Sequence, residues 1–516
     1  MLPLRDRGPK SSGAGGIGVR NRPMCVCKRL YGWDSLVERR AAVLLAIEHV
    51  RSAGKGRSNA VRFRLHNHKG EIMKLKSLTC LAALGLLAGC VPLATAQTPT
   101  DRHSTQYGVL NLGVPLGGSV SSDNGINDLG WSVGVSNLTG DQDAHAVLWL
   151  LSWPIDLGTL GGPNSAVVWP GINNEGEVVG ISDTPRMDPY GELWSCGSFL
   201  PPSHYGHTCV GFKSELGHMT ALPTLGGNNG FATSVNDRGQ VVGWAENTVH
   251  DPTCVAPQVL QFEAVIWGPG DHQIQQLTPY GSDPDGAATG INDHGQVIGI
   301  SGICQNAVGN QSAAHALLWQ NGTPINLGNL GGTAWNTPMY INDQGMVVGF
   351  SDLTGDQGGA NPNFHAFLWV RPGPMQDLGT LSGDAISEAL GVNTQGQIVG
   401  VSYASGFANP RAFLYQHGSM VDLNTLAPNS PVYMQVGGDI NDEGVIAGQG
   451  CVPSQCAAGT AYVSFIAVPT GDGRYQVSVT GGSNPPLKGA AVALTSQQAL
   501  QRLAFGKLMH TSSTQH

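Results

Sequence analysis

The chain has 516 residues, a formal net charge of −9, 73 glycines and only 12% charged residues. Glycine is used about twice as often as average and charged residues about half as often, which favours tight turns. Since 41% of the residues are hydrophobic, the chain can form a packed core, and a disordered chain is excluded. Residues 1–72 carry 15 Lys and Arg against 5 Asp and Glu, whereas the rest carries 12 against 31, so that the body of the chain is a poor partner for nucleic acid.

A secretory signal peptide is predicted inside the sequence rather than at its start. The stretch "MKLKSLTCLAALGLLAGCVPLATAQ" begins at Met73 with a basic segment, continues with an apolar run too short to cross a bilayer comfortably, and ends in small residues. We interpret 73–96 as the signal peptide and Met73 as the true start, which makes 1–72 a non-native upstream extension or a disordered segment. The alternative is a genuine cytoplasmic extension followed by a signal anchor.

Two cleavage sites compete in this segment. The residues Leu-Ala-Gly-Cys ending at Cys90 resemble a bacterial lipobox, whose cysteine is lipidated, and Ala-Thr-Ala before Gln97 is an ordinary cleavage site. Either site leaves the mature chain outside the cytoplasm of a bacterium, whether secreted, periplasmic or on the outer surface. Contact with the membrane is expected only through a lipid on Cys90. Residues 97–106 are predicted to form a linker.

Three short motifs then recur seven times in fixed order over residues 107–470. The first is Leu-Gly-x-Leu-Gly-Gly, the second is Ile/Val-Asn-Asp-x-Gly-x-Val-Val-Gly-x-Ser, and the third, His-Ala-Phe-Leu-Trp, is plainest at His145, His315 and His365. The asparagines of the second motif are 46, 63, 56, 50, 51 and 48 residues apart. Such a period, filled with several short strands, has the size of a propeller blade.

The predicted fold class is therefore all-β, a seven-bladed β-propeller with four-stranded antiparallel blades. The repeat opens on the fourth strand of a blade and ends on a third strand, near Val463–Ala467. We expect the N-terminal strand to complete the last blade and to close the ring, which removes two open sheet edges. Residues 471–516 form a C-terminal tail outside the repeat, with a short helix predicted in it.

The second motif marks the place where two strands reverse direction. An Asn or Asp side chain can accept a bond from a backbone N–H two residues on, and Gly accepts a positive φ. We interpret the seven copies as hairpin turns; the functional alternative is a ring of side chains that holds ions or a ligand. The residues concerned are Asn127, Asp128, Asn173, Asn236, Asp237, Asn292, Asp293, Asn342, Asp343, Asn393, Asn441 and Asp442.

Other polar motifs carry weaker chemical signals. The histidines of the third motif would lie in different blades, too far apart to share a metal ion, and are interpreted as hydrogen-bonding residues at strand starts. The stretch "LTGDQ" occurs twice, and Asp141 with Asp143, or Asp352 with Asp356, could hold calcium, but neither pair matches a known calcium loop, so solvated turns are the preferred interpretation. Catalytic motifs are absent, and no catalytic residue or other cofactor is predicted.

The motifs "HAFLW", "DLGTLGG" and "INDQGMVVG" resemble the HAF repeats of predicted extracellular bacterial proteins. The resemblance covers residues 107–470, and the second and seventh copies depart from it at the third motif. It implies an extracellular location and a repeat architecture. It brings no established activity and no catalytic residues.

The long insertions follow Val-Val-Gly-x-Ser, and strand alternation predicts that they share one face of the disc. Loops on a rigid scaffold are where binding usually lies. The largest insertion contains the candidate binding residues Tyr190, Trp194, His204, Tyr205 and His207.

Six cysteines fall in or beside these insertions, and an even number in an oxidising compartment favours disulfides over zinc. Six cysteines allow fifteen pairings. Two pairs could close local loops, and the third could bridge equivalent loops of adjacent blades. These pairs are Cys196 with Cys209, Cys451 with Cys456, and Cys254 with Cys304.

Two functions are carried forward. The preferred one is a non-catalytic, monomeric binding or scaffold module for an extracellular glycan, a peptide or an envelope protein. The alternative is an extracellular polysaccharide-acting enzyme, a glycoside hydrolase or lyase, with its site at the central channel. Carboxylates, Tyr or His at the channel mouth would favour the enzyme, because glycoside hydrolysis needs paired carboxylates.

Overall fold

The structure is a computed structural model of the full chain, and we describe residues 105–192, 194–201, 206–215, 217–269, 273–305, 310–356, 362–456 and 462–470. The predicted signal peptide, Cys90 and the C-terminal tail lie outside these residues. In the described part, no helix has both the length and the apolar character needed to span a membrane.

Seven four-stranded antiparallel sheets form a seven-bladed β-propeller, as the repeat period predicts. In chain order the strands are β1 (Tyr107–Gly113), β2 (Gly117–Ile126), β3 (Trp131–Leu138), β4 (Ala144–Leu150), β5 (Trp153–Asp156), β6 (Ser165–Ala166), β7 (Glu177–Met187), β8 (His207–Glu215), β9 (His218–Ala221), β10 (Gly230–Val235), β11 (Val241–His250), β12 (Leu260–Trp267), β13 (Ile274–Gln276), β14 (Asp285–Ile291), β15 (Val297–Gly302), β16 (His315–Gln320), β17 (Thr323–Asn326), β18 (Gly331–Ile341), β19 (Val347–Leu353), β20 (Phe364–Trp369), β21 (Gln376–Gly379), β22 (Ile386–Val392), β23 (Ile398–Ala404), β24 (Ala408–Gln416), β25 (Ser419–Asp422), β26 (Tyr433–Ile440), β27 (Ile446–Cys451) and β28 (Val463–Pro469).

Blades 1 to 6 are formed by consecutive strands, from β2–β5 to β22–β25, and blade 7 has the order β1-β28-β27-β26. The first strand of the chain thus completes the last blade, pairing antiparallel with β28 from Tyr107 opposite Pro469 onward. The predicted closure is confirmed. A short helix, α1 (Trp194–Phe199), and two 3₁₀ turns, Asn310–Ser312 and Leu423–Leu426, lie outside the sheets.

The two faces of the disc differ. We call the face with the Asn-Asp-x-Gly turns, between the first and second strands of each blade, the turn face. The opposite face, with the long insertions after each second strand, is the loop face. The third and fourth strands of each blade are also joined on the turn face, so the turn of an outer hairpin such as β4–β5 lies there as well.

The turn glycine takes the left-handed conformation in all seven blades, with φ between 72° and 82°, from Gly130 in blade 1 to Gly444 in blade 7. A side chain would be strained in this region, so the repeat keeps Gly there. The turn asparagine carbonyl accepts a bond from this glycine N–H, as Asn127 does from Gly130 at 2.9 Å. Local turn chemistry therefore explains this half of the motif.

The glycine of Val-Val-Gly-x-Ser has a different role. A Cβ added to Gly134 would lie 1.9 Å from the Ser122 carbonyl oxygen of the neighbouring inner strand, and Gly243 and Gly400 show the same conflict at the same distance. The inner strand has a register shift beside this point, for example between Asp123 and Gly125. The absent side chain lets the innermost strand bend close to its neighbour.

Blade 2 departs from the others. Its innermost strand has only two ladder residues, Ser165–Ala166, and an isolated bridge joins Ile172 to Val178. Pro170 stands inside the segment, and a proline has no N–H for a sheet ladder. The weak second copy of the repeat therefore still gives a blade, with its inner edge interrupted.

The largest core cluster draws on blades 2 to 7 and on the loop-face insertions. Trp169, Phe199, Phe231 and Trp244 pack mostly edge to face, with ring centroids 4.7–6.3 Å apart. Phe199 comes from α1, so the largest insertion is anchored in the core. Such aromatic pairs add about 0.5–1.5 kcal/mol each beyond their buried area.

Candidate functional site

A closed ring of hydrogen bonds surrounds the central axis on the turn face. In every blade the turn asparagine donates from Nδ2 to the carbonyl of the turn asparagine in the next blade, with N···O distances of 2.9–3.1 Å. The bond from Asn441 to Asn127 crosses the seam where the chain closes. These side chains also accept N–H groups of their own turns, as Asn393 Oδ1 does from Gln395 and Gln397. Their polar atoms are used within the protein and are not free for a ligand.

The next residue of each turn builds a second ring. Six of its members accept, through Oδ1, the backbone N–H of the preceding member, at 2.7–3.1 Å. Among the described residues there is no seventh bond, from the Asp343 N–H to Thr394, whose side chain is one atom shorter than that of Asp or Asn. We call this set the acidic rim; it consists of Asp128, Asn174, Asp237, Asp293, Asp343, Thr394 and Asp442.

The acidic rim lines a central opening with a cavity volume of about 120 Å³. Five of its seven residues are aspartates, and no Lys, Arg or His lines the opening among the described residues. Burial raises the pKa of Asp128 and Asp237, and the negative charges of their neighbours Asp442 and Asp293 act in the same direction. The opening is therefore a site of concentrated negative charge.

Two residues fill positions below the rim where the other repeats have small residues. Two places before the turn asparagine, five blades have Gly or Ser, whereas blade 5 has Tyr340 and blade 7 has Asp439. Tyr340 lines the opening, and burial and the charges of nearby carboxylates, Asp439 first, hold its pKa well above the usual range. Asp439 is 2% exposed and accepts the Ile126 N–H across the seam at 3.0 Å. Burial raises the pKa of Asp439 to about 8.

A groove lies on the turn face between blades 4 and 5 and has a volume of about 500 Å³. Its lining includes Asp343 of the acidic rim, so the groove begins where the central opening ends. Leu318 and Trp369 are buried beneath it, at 1% and 6% exposed. Val370 and two glycines also line the groove, together with polar side chains: His294, Gln296, Gln320, Asn321, Gln344 and Arg371.

The motif histidines stand at strand starts, and each contacts an aspartate. Nδ1 of His145 lies 2.9 Å from Asp156 Oδ1 on the next strand, and His365 has the same distance to Asp377. His315 instead contacts Asp283 at 2.7 Å. The His of "HAF" and the Asp of "DLG" thus form a pair within one blade.

The candidate binding loop of the sequence is only partly described. Tyr190 is 46% exposed on the loop face, and its ring packs edge-on against His250 with centroids 5.4 Å apart. His207 is half-buried, and its Nδ1 lies 2.8 Å from the Thr184 carbonyl oxygen. Trp194 begins α1, while His204 and Tyr205 lie outside the described residues. The described part does not bring these residues together into a site.

Three disulfides join the predicted cysteine pairs, Cys196–Cys209, Cys254–Cys304 and Cys451–Cys456. The first ties α1 to β8, and the second joins insertions of blades 3 and 4. The Val255 N–H also donates to the Gln305 carbonyl at 2.7 Å beside this bridge. The loop face is therefore braced covalently.

The aspartates of the two "LTGDQ" stretches bond to backbone N–H groups. Asp141 Oδ1 accepts the Ser119 N–H at 2.7 Å, and Asp356 Oδ2 accepts the Asn363 N–H, so both aspartates stabilise turns. Asp352 is fully buried, and burial raises its pKa to about 7. Within the described ranges, no group of three or more His, Cys, Asp or Glu side chains is arranged to hold a metal ion.

Buried carboxyl groups make the stability of the fold depend on pH. Glu388, in β22, is 1% exposed, and neither of its carboxyl oxygens has a hydrogen-bond partner among the described residues. Burial raises its pKa from an ordinary 4.5 to about 8. Between these two pKa values the folded chain holds a proton on Glu388 that the unfolded chain releases. The stability that this proton contributes is fully present below pH 4.5 and is lost as the pH rises through about 8.

We therefore expect the denaturation midpoint to fall between about pH 5 and about pH 8.5, and to fall less steeply in Glu388→Gln. The amide keeps the shape of the side chain and cannot ionise. Urea titrations across this range measure both slopes. The prediction is wrong if the variant and the parent protein lose stability in parallel.

No protein-family model matches the chain, and no curated protein matches it. Solved structures match distantly. A puromycin hydrolase mutant has 12% sequence identity and a TM-score of 0.37, and the match covers 64% of this chain and 50% of that one. A gluconolactonase from Xanthomonas campestris has 9% identity and a TM-score of 0.30, and the match covers 71% of this chain and 91% of that one. A protein of unknown function from Dyadobacter fermentans matches at 10% and 0.35, over 70% of this chain and 98% of that one. The chain spans about half the length of the hydrolase.

These likenesses are too weak to carry an argument about function. The class of the protein follows from its own geometry. It is a disulfide-braced, seven-bladed β-propeller whose turn face has an acidic central opening that leads into a polar groove.

Proposed function

We propose that this protein is an extracytoplasmic β-propeller of the HAF-repeat type that acts as a binding or scaffold module for an extracellular ligand or envelope partner. We place its ligand site at the centre of the turn face, in the acidic rim and the adjoining groove. One observation carries the proposal. The groove, at about 500 Å³, has the volume of known ligand sites and combines an apolar floor with convergent polar side chains.

Several features support the location and the partner class. The six paired cysteines are typical of an oxidising compartment, which agrees with the signal peptide predicted at 73–96. The excess of acidic residues beyond residue 72 argues against nucleic acid as a partner. A glycan, a peptide or an envelope protein remains the expected class, bound by a monomer that reaches the membrane only through a lipid on Cys90.

A polysaccharide-acting enzyme is the second candidate, since the opening is lined by carboxylates and by Tyr340. Such an enzyme needs an acid and a base with separated pKa values. The rim carboxylates occupy equivalent repeat positions, and Asp128, Asp237, Asp293, Asp343 and Asp442 each accept a neighbour's backbone N–H. This symmetry favours a fixed negative surface over a matched acid–base pair.

A thermal-shift screen of the purified, oxidised protein against neutral, acidic and amine-bearing oligosaccharides and peptides tests the proposal. A ligand at one hundred times its Kd should add about 2.7 kcal/mol of stability. Asp343→Asn keeps the acceptor for the Asp293 N–H and should abolish or reduce the shift. Tyr190→Ala on the loop face should leave it unchanged.

The opposite pattern, with the shift lost in Tyr190→Ala alone, would contradict the turn-face site. Chromatography of each bound oligosaccharide after incubation separates the two candidate functions. Recovery of intact ligand supports a binding module, and shortened products would favour the enzyme.

A further inference from the structure

The groove contains a hydrogen-bond donor that the protein leaves unused. In blades 3 and 4 the motif tryptophans Trp267 and Trp319 donate from Nε1 to carbonyls of the preceding blade, at 2.8 and 2.7 Å. Trp369 stands at the same position in blade 5 and is 6% exposed, but its N–H makes no hydrogen bond to any described residue. The equivalent Trp149 is wholly enclosed, whereas Trp369 lines the groove, where an acceptor on a ligand can reach it.

The inner end of the groove is anionic. Asp343 is the exposed member of the acidic rim, and only its Oδ1 accepts a bond among the described residues, from the Asp293 N–H. Its second oxygen is therefore available. Four further rim aspartates surround the opening without a basic side chain in its lining. Clefts with charge of one sign concentrate ligands of the opposite sign, so a cationic group is favoured here.

The walls of the groove present planar amide groups. Gln344 is exposed and its side chain makes no bond to the described residues, while Gln320 accepts a bond from Arg371. Side-chain amides donate and accept, which matches hydroxyl groups that do both. A peptide that binds by strand addition needs an open strand edge, and the inner strands of the two blades that flank this groove are already paired.

We propose that the groove binds a short oligosaccharide that carries a free amino group, with the ammonium group at Asp343 and the sugar hydroxyls at the glutamines and the Trp369 N–H. This inference rests on the proposed function, since it names the ligand of the same site. Leu318 and Trp369 give the groove an apolar floor against which the C–H groups of a sugar can pack. The volume of about 500 Å³ suits a few sugar units.

The test compares two probes that differ only at nitrogen: a tetramer of glucosamine and its N-acetylated counterpart. Calorimetry should show the free-amine tetramer binding at least about tenfold more tightly, and added salt should weaken it. Asp343→Asn should remove most of this difference by weakening the free-amine tetramer. Gln344→Ala, which removes an exposed side chain, should weaken both tetramers and leave the folding midpoint unchanged.

Trp369→Phe tests the indole N–H directly and should weaken both tetramers, with Tyr190→Ala as the loop-face control that changes neither. Equal affinity for the two tetramers, or an unchanged ratio in Asp343→Asn, would overturn the inference. If both tetramers fail while another ligand of the screen binds in an Asp343-dependent way, the sugar assignment is wrong and the turn-face site stands. If no ligand of the screen binds, both this inference and the proposed function are wrong.

Discussion

Val109→Asp is expected to lower the free energy of unfolding by about 3–5 kcal/mol, because it places an unpaired charge in the strand that closes the ring. Val109 lies in β1, is 5% exposed and pairs opposite Ala467 of β28. It packs in a cluster with Tyr107 and Phe465. Urea denaturation of the variant and the parent protein measures the difference.

Asn111→Asp is the matched control, since it adds the same charge to the same strand. Asn111 is exposed, and its Oδ1 accepts the Gly113 N–H at 2.8 Å, a bond that aspartate can also accept. We expect a change within about 0.5 kcal/mol, as is usual for surface positions. A mild effect of Val109→Asp, similar to this control, would show that β1 is not needed to close the ring.

The strand carries such a large effect because no disulfide in the described part of the chain links β1 to β28. Apart from the pairing of these two strands, the seam is joined by an isolated backbone bridge between Val120 and Tyr462 and by a few further hydrogen bonds. Asn441 donates to the Asn127 carbonyl, and the Asp442 N–H donates to Asp128, both at 3.1 Å. Loss of β1 would leave β28 as an open edge, and open edges invite association with other chains.

The repeat could be predicted from the sequence because its signals are local. Gly at a left-handed turn, Asn before it and apolar residues at strand spacing each follow from a few neighbouring residues. The ring that joins the turn asparagines could not be predicted in this way. Asn127 and Asn173 are 46 residues apart, and only the angle between blades brings the amide of one to the carbonyl of the other.

The groove is harder still to find in the sequence. Trp369 belongs to a motif that predicts a buried strand, and the residue is buried. It differs from the equivalent Trp149, whose N–H is also unpaired among the described residues, because Trp369 lines a groove between two blades. Tyr340 and Asp439 did leave a signal, since they replace Gly or Ser of the other repeats. The residues that break the repeat therefore mark the central opening more clearly than the repeated residues do.

Asn393→Ala is expected to cost about 3 kcal/mol of stability, because it breaks the asparagine ring and leaves buried groups unpaired. Asn393 is 3% exposed, and its Nδ2 donates to the Asn441 carbonyl at 3.0 Å. Its Oδ1 accepts the N–H groups of Gln395 and Gln397. An unsatisfied buried polar group costs about 1–3 kcal/mol, and the two turn N–H groups, which are nearer to solvent, cost less. The shift of the urea midpoint at unchanged slope measures the loss.

Gln395→Ala changes the exposed residue two places along the same turn and should be close to neutral, because its side chain makes no bond to a described residue. Asn393→Asp separates the two halves of the interaction. The carboxylate still accepts the two turn N–H groups but cannot donate to Asn441, and it sets a negative charge against that carbonyl. If the ring stabilises the closed propeller, this variant should be at least as unstable as Asn393→Ala; if only the turn matters, it should resemble the parent protein.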